Sequence, residues 1–141
     1  MIYKINRLCI LNQETPTPCK ERMEVAINIV PVRKNNKFEN FLLGIDWFQE
    51  CYENFGHECT LGEGFNVEKF VESIEVDVDI PDSLCPCNDF DCGGIFGVKI
   101  NIRDESPVYA WVYNIHNGYY CHAIYYTDDS LRVDCFETDY L

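Results

Sequence analysis

Three cysteines, Cys85, Cys87 and Cys92, fall within eight residues of one loop that also carries Asp82, Asp89 and Asp91. Thiolates at that density can converge on a tetrahedral zinc ion, with His57 or Cys59 supplying a fourth ligand. The spacing is not a standard zinc pattern, because no CxxC is paired with a second CxxC or with an HxxxH. The competing reading is a set of free thiols, since unpaired cysteine behaves as a small, frequently buried hydrophobe. The three aspartates are hard oxygen ligands of the kind calcium prefers, but they lack the EF-hand order and its terminal bidentate glutamate.

Nucleophilic chemistry fares less well. A cysteine hydrolase needs a thiolate, commonly activated at a helix N-terminus, and a histidine oriented by Asn or Asp. Cys92, His116 and Asn117 offer the residue types, yet Cys92 leads through Gly93 and Gly94 into a strand pattern with no helix dipole. Cys121 and His122 are adjacent and so point to opposite faces of a strand, which keeps them from forming one site. Phosphate-binding loops, a serine nucleophile elbow and HExxH are all absent. The expectation is a protein that is not an enzyme.

The carboxylates carry a sharper signal. Glu72, Glu75, Asp77, Asp79, Asp82, Asp89 and Asp91 follow one another between positions 71 and 91 with no intervening base. If positions 73 to 80 form a strand, Glu75, Asp77 and Asp79 line one face at intervals of about 6.5–7 Å, near the per-strand phosphate spacing of nucleic acid. Such a row can occupy a basic groove. It can equally be an edge strand kept from aggregating by its charge.

These residues need elements to position them. Ile2, Lys4 and Asn6 alternate with Tyr3, Ile5 and Arg7 in a first strand, a Pro-rich loop follows from Gln13 to Lys20, and Met23, Val25, Ile27 and Ile29 mark a second strand ending near Pro31. From Lys37 the period changes. Phe38, Phe41, Leu42, Ile45, Phe48, Tyr52 and Phe55 recur at spacings of three and four, which predicts an amphipathic helix capped by Asn36 and Glu39 and stopped by Gly56. A further helical turn or two is expected from Asn66, with Val67, Phe70, Val71 and Ile74 inward.

Four alternating runs, 95 to 103, 108 to 116, 119 to 127 and 131 to 137, then predict an antiparallel meander. Asn117-Gly118 is the favoured type I′ hairpin pair and would set Tyr113 opposite His122 and His116 opposite Tyr119. The face carrying Tyr109, Trp111, Tyr113 and Tyr120 is expected to pack beneath the helix. The expected fold is therefore α+β: one domain over 1–141, an antiparallel sheet with a C-terminal four-stranded meander packed against one main amphipathic helix.

Composition bounds the rest. A chain of 141 residues, 47% apolar with nine Phe, nine Tyr and two Trp, has material for one core. No apolar run approaches a membrane span and no signal-peptide pattern opens the chain, so a cytoplasmic location is expected. The nine cysteines are then read as reduced thiols. Net charge is −13 and unevenly spread: positions 1 to 70 hold ten acids and eight bases, and positions 71 to 141 hold fourteen acids and three bases. That surplus repels nucleic acid and anionic membrane while steering a cationic partner inward.

In size, acidity, the meander and the segment Trp111-Val112-Tyr113-Asn114-Ile115-His116-Asn117-Gly118-Tyr119-Tyr120, the chain resembles the small acidic immunity proteins of bacterial toxin systems and the phage-encoded inhibitors of bacterial defence. The resemblance implies stoichiometric inhibition of a partner, without catalysis or cofactor. From the charge pattern, the expected contacts on a basic toxin nuclease or nucleic-acid-handling effector are Glu75, Asp77, Asp79, Asp82, Asp89, Asp91, Asp128 and Asp129. The alternative function is a structural-zinc or thiol-dependent protein centred on Cys85, Cys87 and Cys92.

Overall fold

The computed structural model describes residues 2–7, 23–33, 41–46, 54–84, 93–115, 123–127 and 133–137. In chain order the strands are β1 (Ile2–Asn6), β2 (Met23–Pro31), β3 (Phe41–Asp46), β4 (Asn54–Cys59), β5 (Asn66–Val76), β6 (Gly93–Ile102), β7 (Val108–Ile115), β8 (Ala123–Thr127) and β9 (Val133–Glu137). All pair antiparallel in one nine-stranded sheet of order β4-β7-β6-β5-β1-β2-β3-β8-β9. Among the described residues there is no helix, and hence none long and apolar enough to cross a membrane.

The sheet folds back on itself, so that β4 and β7 pack over β2 and β3. The inner faces enclose Ile5, Ile27, Ile29, Leu43, Ile45, Val98, Ile100, Ala110, Val112 and Ile124, all fully buried. Burying side chains of this size is worth about 1.5–3 kcal/mol each, which is what holds the two layers together. Phe96 on β6 stacks on Tyr126 of β8 at 5.4 Å between ring centroids, joining strands that are not neighbours in the sheet.

The α+β expectation is thus overturned. Positions 41 to 46, assigned to the helix, form a central strand paired with β2 on one side and β8 on the other, and the residues before Gly56 begin β4. The helical stripe passed over Leu43. With Leu43 included, Phe41, Leu43 and Ile45 are an ordinary alternation with all three buried. Flanking strands supply ladder partners along the whole β2 edge and at Leu43, Gly44 and Ile45 on the β8 edge, so the local preference for a helix is outweighed.

The turn of helix expected from Asn66 is also a strand, β5, and its inward residues explain the misreading. An irregularity between Val71 and Ser73 inserts Glu72 as an extra residue, so Val71 pairs with Ile102 while Ile74 pairs with Ile100, both on the inner face. Val67, Val71 and Ile74 thereby recur at the four- and three-residue spacing of a helix inside a bulged strand.

The meander survives only in halves. β6 pairs with β7 and β8 pairs with β9, as the alternation predicts. β7 does not pair with β8, because its second edge is taken by β4, with Asn54 opposite Ile115 and Cys59 opposite Ala110. The register predicted from Asn117-Gly118 therefore fails, although that turn itself, with His116, Tyr119, Cys121 and His122, lies outside the described residues. The core face of β7 is also the opposite of the one expected: Val108, Ala110, Val112 and Asn114 point inward, and Tyr109, Trp111 and Tyr113 point outward.

Candidate functional site

Among the described residues the inner face is mostly apolar, with Asn114 buried on it, and near the start of β5 three charged or ionisable side chains meet. Arg7 follows β1 in the inward parity of Tyr3 and Ile5, and its backbone N–H donates to the Phe65 carbonyl at 3.4 Å. His57 comes from β4, on the face it shares with Phe55 and Cys59. Glu24 arrives by a second bulge. Ile27 pairs with Leu43 but Val25 pairs with Gly44, leaving Ala26 as the extra residue and bringing Glu24 opposite buried Ile45. In an unbulged ladder Glu24 would fall opposite Asp46 and face outward.

The three groups form a tight triangle. Arg7 Nη2 lies 3.0 Å from His57 Nε2 and 3.4 Å from Glu24 Oε1, and Glu24 Oε1 lies 3.2 Å from His57 Nε2. One ring nitrogen cannot accept from Arg7 and donate to Glu24 at once. Burial, with help from the Arg7 guanidinium, holds the imidazole below its ordinary pKa, while Glu24 pulls against that shift. Arg7 can only donate and the Glu24 carboxylate can only accept, so the two compete for Nε2 and the tautomer of the ring decides which contact is a hydrogen bond. The His57 side chain is only 6% exposed, whereas those of Arg7 and Glu24 are each 26% exposed.

The triangle opens at the edge strand β4 into a half-open cleft of about 260 Å³, lined from the inner face by Phe55 and Phe65, from the outer-face side of β4 by Tyr113 and Glu58, and at the following turn by Glu63. Cys59 also lines it. Burial pushes its thiol up to about 11, so it is a protonated, unreactive free cysteine at neutral pH.

A second feature sits at the other end of β5. The strand stops at Val76, and Asp77 takes a left-handed backbone with φ of 55°. The chain then crosses β6 as a strap: the Val78 N–H donates to the Gly97 carbonyl at 3.0 Å, while Asp77, Asp79 and Asp82 are exposed. Gly97 is required for this crossing, because a β-carbon there would stand 2.5 Å from the Val78 carbonyl oxygen. On the same outer face, Gly97 has Trp111 as its cross-strand partner, a tryptophan only 5% exposed.

The predicted acidic row is corrected accordingly. Positions 73 to 80 are not one strand, and the left-handed residue at Asp77 separates Glu75 from Asp79. Glu75 is engaged within the molecule, accepting from Asn101 Nδ2 at 2.8 Å with Lys99 Nζ at 3.7 Å. Those contacts, Asn101 first and Lys99 second, hold its pKa below the ordinary value. Glu72 pairs with Arg103 and Glu105 with Lys69. No cation among the described residues pairs with Asp77, Asp79 or Asp82.

Asp89, Asp91, Asp128 and Asp129 lie outside the described residues, as do Cys85, Cys87 and Cys92. Of the residues named for zinc, His57 and Cys59 share a face of β4, but His57 is held by Arg7 and Glu24. Among the described residues no group of three or more His, Cys, Asp or Glu is placed to hold a metal ion. Sequence reasoning missed Arg7 and Glu24. The available signal was the run Val25-Ala26-Ile27, three consecutive buried apolar residues in an otherwise alternating strand, which marks a change of parity.

The described residues define a nine-stranded antiparallel sheet with a charged cleft at one end of β5 and, at the other, an acidic strap without a cationic partner among them. Comparison with protein-family models, with curated proteins and with solved structures returned no match.

Proposed function

We propose that this chain is a non-catalytic acidic binding protein that inhibits a basic partner protein by occluding its cationic surface, in the manner of an immunity or anti-defence protein of the cytoplasm. The observation that carries this reading is the strap. Asp77, Asp79 and Asp82 are exposed and unpaired among the described residues, while Glu24, Glu72, Glu75 and Glu105 each have an internal basic partner. Carboxylates already neutralised contribute little to steering, whereas unpaired ones project their field to an approaching cation. The contact set therefore moves from Glu75 toward Asp77, Asp79 and Asp82, with Asp89 and Asp91 continuing the acidic run in sequence. The free, protonated Cys59 supports a reducing compartment and speaks against thiol catalysis at that position.

The test compares immobilised wild-type chain with the variant Asp77→Asn, Asp79→Asn, Asp82→Asn in capture from the source cells. A basic protein retained by the wild type is then taken into stopped-flow association at low and high salt. The variant is expected to associate about tenfold more slowly at low salt and to lose most of the salt dependence. Equal capture and equal association rates for the two proteins would refute the reading.

A further inference from the structure

Arg7, Glu24 and His57 are brought together from three elements: Arg7 directly follows β1, Glu24 lies at the start of β2 and His57 belongs to the edge strand β4. Their arrangement asks too much of one atom. His57 Nε2 has a donor-only group, Arg7 Nη2, at 3.0 Å and an acceptor-only group, Glu24 Oε1, at 3.2 Å. A ring nitrogen carries either a lone pair or a proton, so one of the two contacts is always without a hydrogen bond. The third side of the triangle, Arg7 Nη2 to Glu24 Oε1, is long at 3.4 Å.

A proton on the ring decides the competition by the sign of the charges. The protonated ring attracts the carboxylate and repels the guanidinium, and at 3.0 Å two cations with one carboxylate between them are not held together. Arg7 is the group placed to give way. Its Nε is buried with no hydrogen-bond partner among the described residues, so its seat is already incompletely satisfied, and its head group borders the open cleft on a long stem. The other groups around the ring do not change this order: Glu58 lies on β4 itself, and Cys59, Glu63 of the following turn and Tyr113 of β7 line the same cleft.

We infer that the triangle is a proton-operated exchange of partners: with the ring neutral, Arg7 donates to both Glu24 and His57, and with the ring doubly protonated, Nε2–H donates to Glu24 and the Arg7 guanidinium is expelled into the cleft. The added proton comes from solvent. Burial of the ring disfavours it most, Glu24 favours it, Arg7 opposes it and Glu58 adds a smaller pull toward it, so the exchange falls on the acid side of the ordinary histidine value. Both states tie β4 to β2, the first through Arg7 and the second directly. What changes is the junction of β1 with the turn before β5, where the Arg7 N–H donates to the Phe65 carbonyl at 3.4 Å and loses the brace of its own side chain.

The experiment is a pH titration of the full, isotope-labelled chain by NMR, following the His57 ring nitrogens and the Arg7 Nε–H from about pH 7.5 down to the onset of acid unfolding. At the start Nε2 is expected to give the signal of an unprotonated nitrogen. As the ring gains its second proton, exchange of the Arg7 Nε–H with water should accelerate about tenfold or more relative to the exposed Arg33 in the same spectra, with one shared midpoint. Arg7→Met should raise that midpoint, because a charge opposing the proton is removed, and Glu24→Gln should lower it. The decisive signals are those of the wild type, so neither variant has to fold for the test to be read. A protonated Nε2 at neutral pH, a ring that stays neutral until the chain unfolds, or an Arg7 Nε–H unmoved while the ring titrates would overturn the inference. The strap aspartates take no part in the exchange, so either result leaves the occlusion of a basic partner to its own test.

Discussion

Gly97→Ala tests the crossing on which the acidic strap depends. An alanine β-carbon would stand 2.5 Å from the Val78 carbonyl oxygen and 2.6 and 2.9 Å from Ile80 Cδ1 and Cγ1. The isoleucine can rotate away, but the carbonyl belongs to the backbone and must retreat by about 0.9 Å to reach ordinary carbon–oxygen contact. That retreat strains the Val78 N–H bond to the Gly97 carbonyl, now 3.0 Å. Two routes bound the cost. If the ladder holds and the overlap is absorbed as strain, overpacking costs about 1–3 kcal/mol. If instead the strap lifts, the loss is one hydrogen bond, about 0.5–1.5 kcal/mol net, together with part of the Ile80 burial. Urea denaturation should show a lower midpoint with unchanged slope, and amide exchange at Val78 should accelerate about tenfold or more relative to wild type. The variant keeps every carboxylate, so slower association with the basic partner would separate the placement of Asp77, Asp79 and Asp82 from their number. Unchanged stability together with unchanged Val78 exchange would refute the crossing geometry.

Two further outcomes follow from the same structure. Folding lowers the His57 pKa below its unfolded value, so the unfolded chain binds more protons in that interval. The stability this group contributes is complete above the unfolded value near 6.5 and falls on acidification toward the folded pKa, at no more than about 1.4 kcal/mol per pH unit; the wild-type minus His57→Gln difference in urea stability across that window measures it, and a flat difference would count against a buried neutral ring. Asp77→Val should destabilise by about 1–2 kcal/mol, because a β-branched residue does not tolerate the φ of 55°, while Asp77→Gly should not destabilise comparably in the same denaturation assay.

How much of this was legible in the sequence depended on where the strands are regular. β1, β2, β6 and β7 were readable from alternation because Tyr3 and Ile5, Ile27 and Ile29, and Val98 and Ile100 keep strict parity over a buried face. The pairing of β6 with β7 followed from the short turn between them. The partner of β7 did not, since β4 is nearly fifty residues earlier in the chain and no local signal announces a contact of that range. The helix at 37 to 55 failed because apolar residues were counted at two possible periods and the long-range partners that decide between them, β2 and β8, are invisible locally.

The bulges explain the remaining errors and the site together. At Glu72 and at Ala26 one extra residue shifts parity, so that inward positions three apart, Val71 with Ile74 and Glu24 with Ile27, stand where an unbulged strand would have two. In the first case the result mimics a helix. In the second it turns a glutamate that alternation assigns to solvent toward the interior, next to His57 and Arg7. A bulge that merely fitted the sheet would be expected to bring an apolar residue inward, as it does at Ile74. This one brings in a carboxylate that, among the described residues, meets Arg7 and His57. Its side chain keeps about a quarter of its surface in solvent, so the bulge places the carboxylate at the border between interior and water.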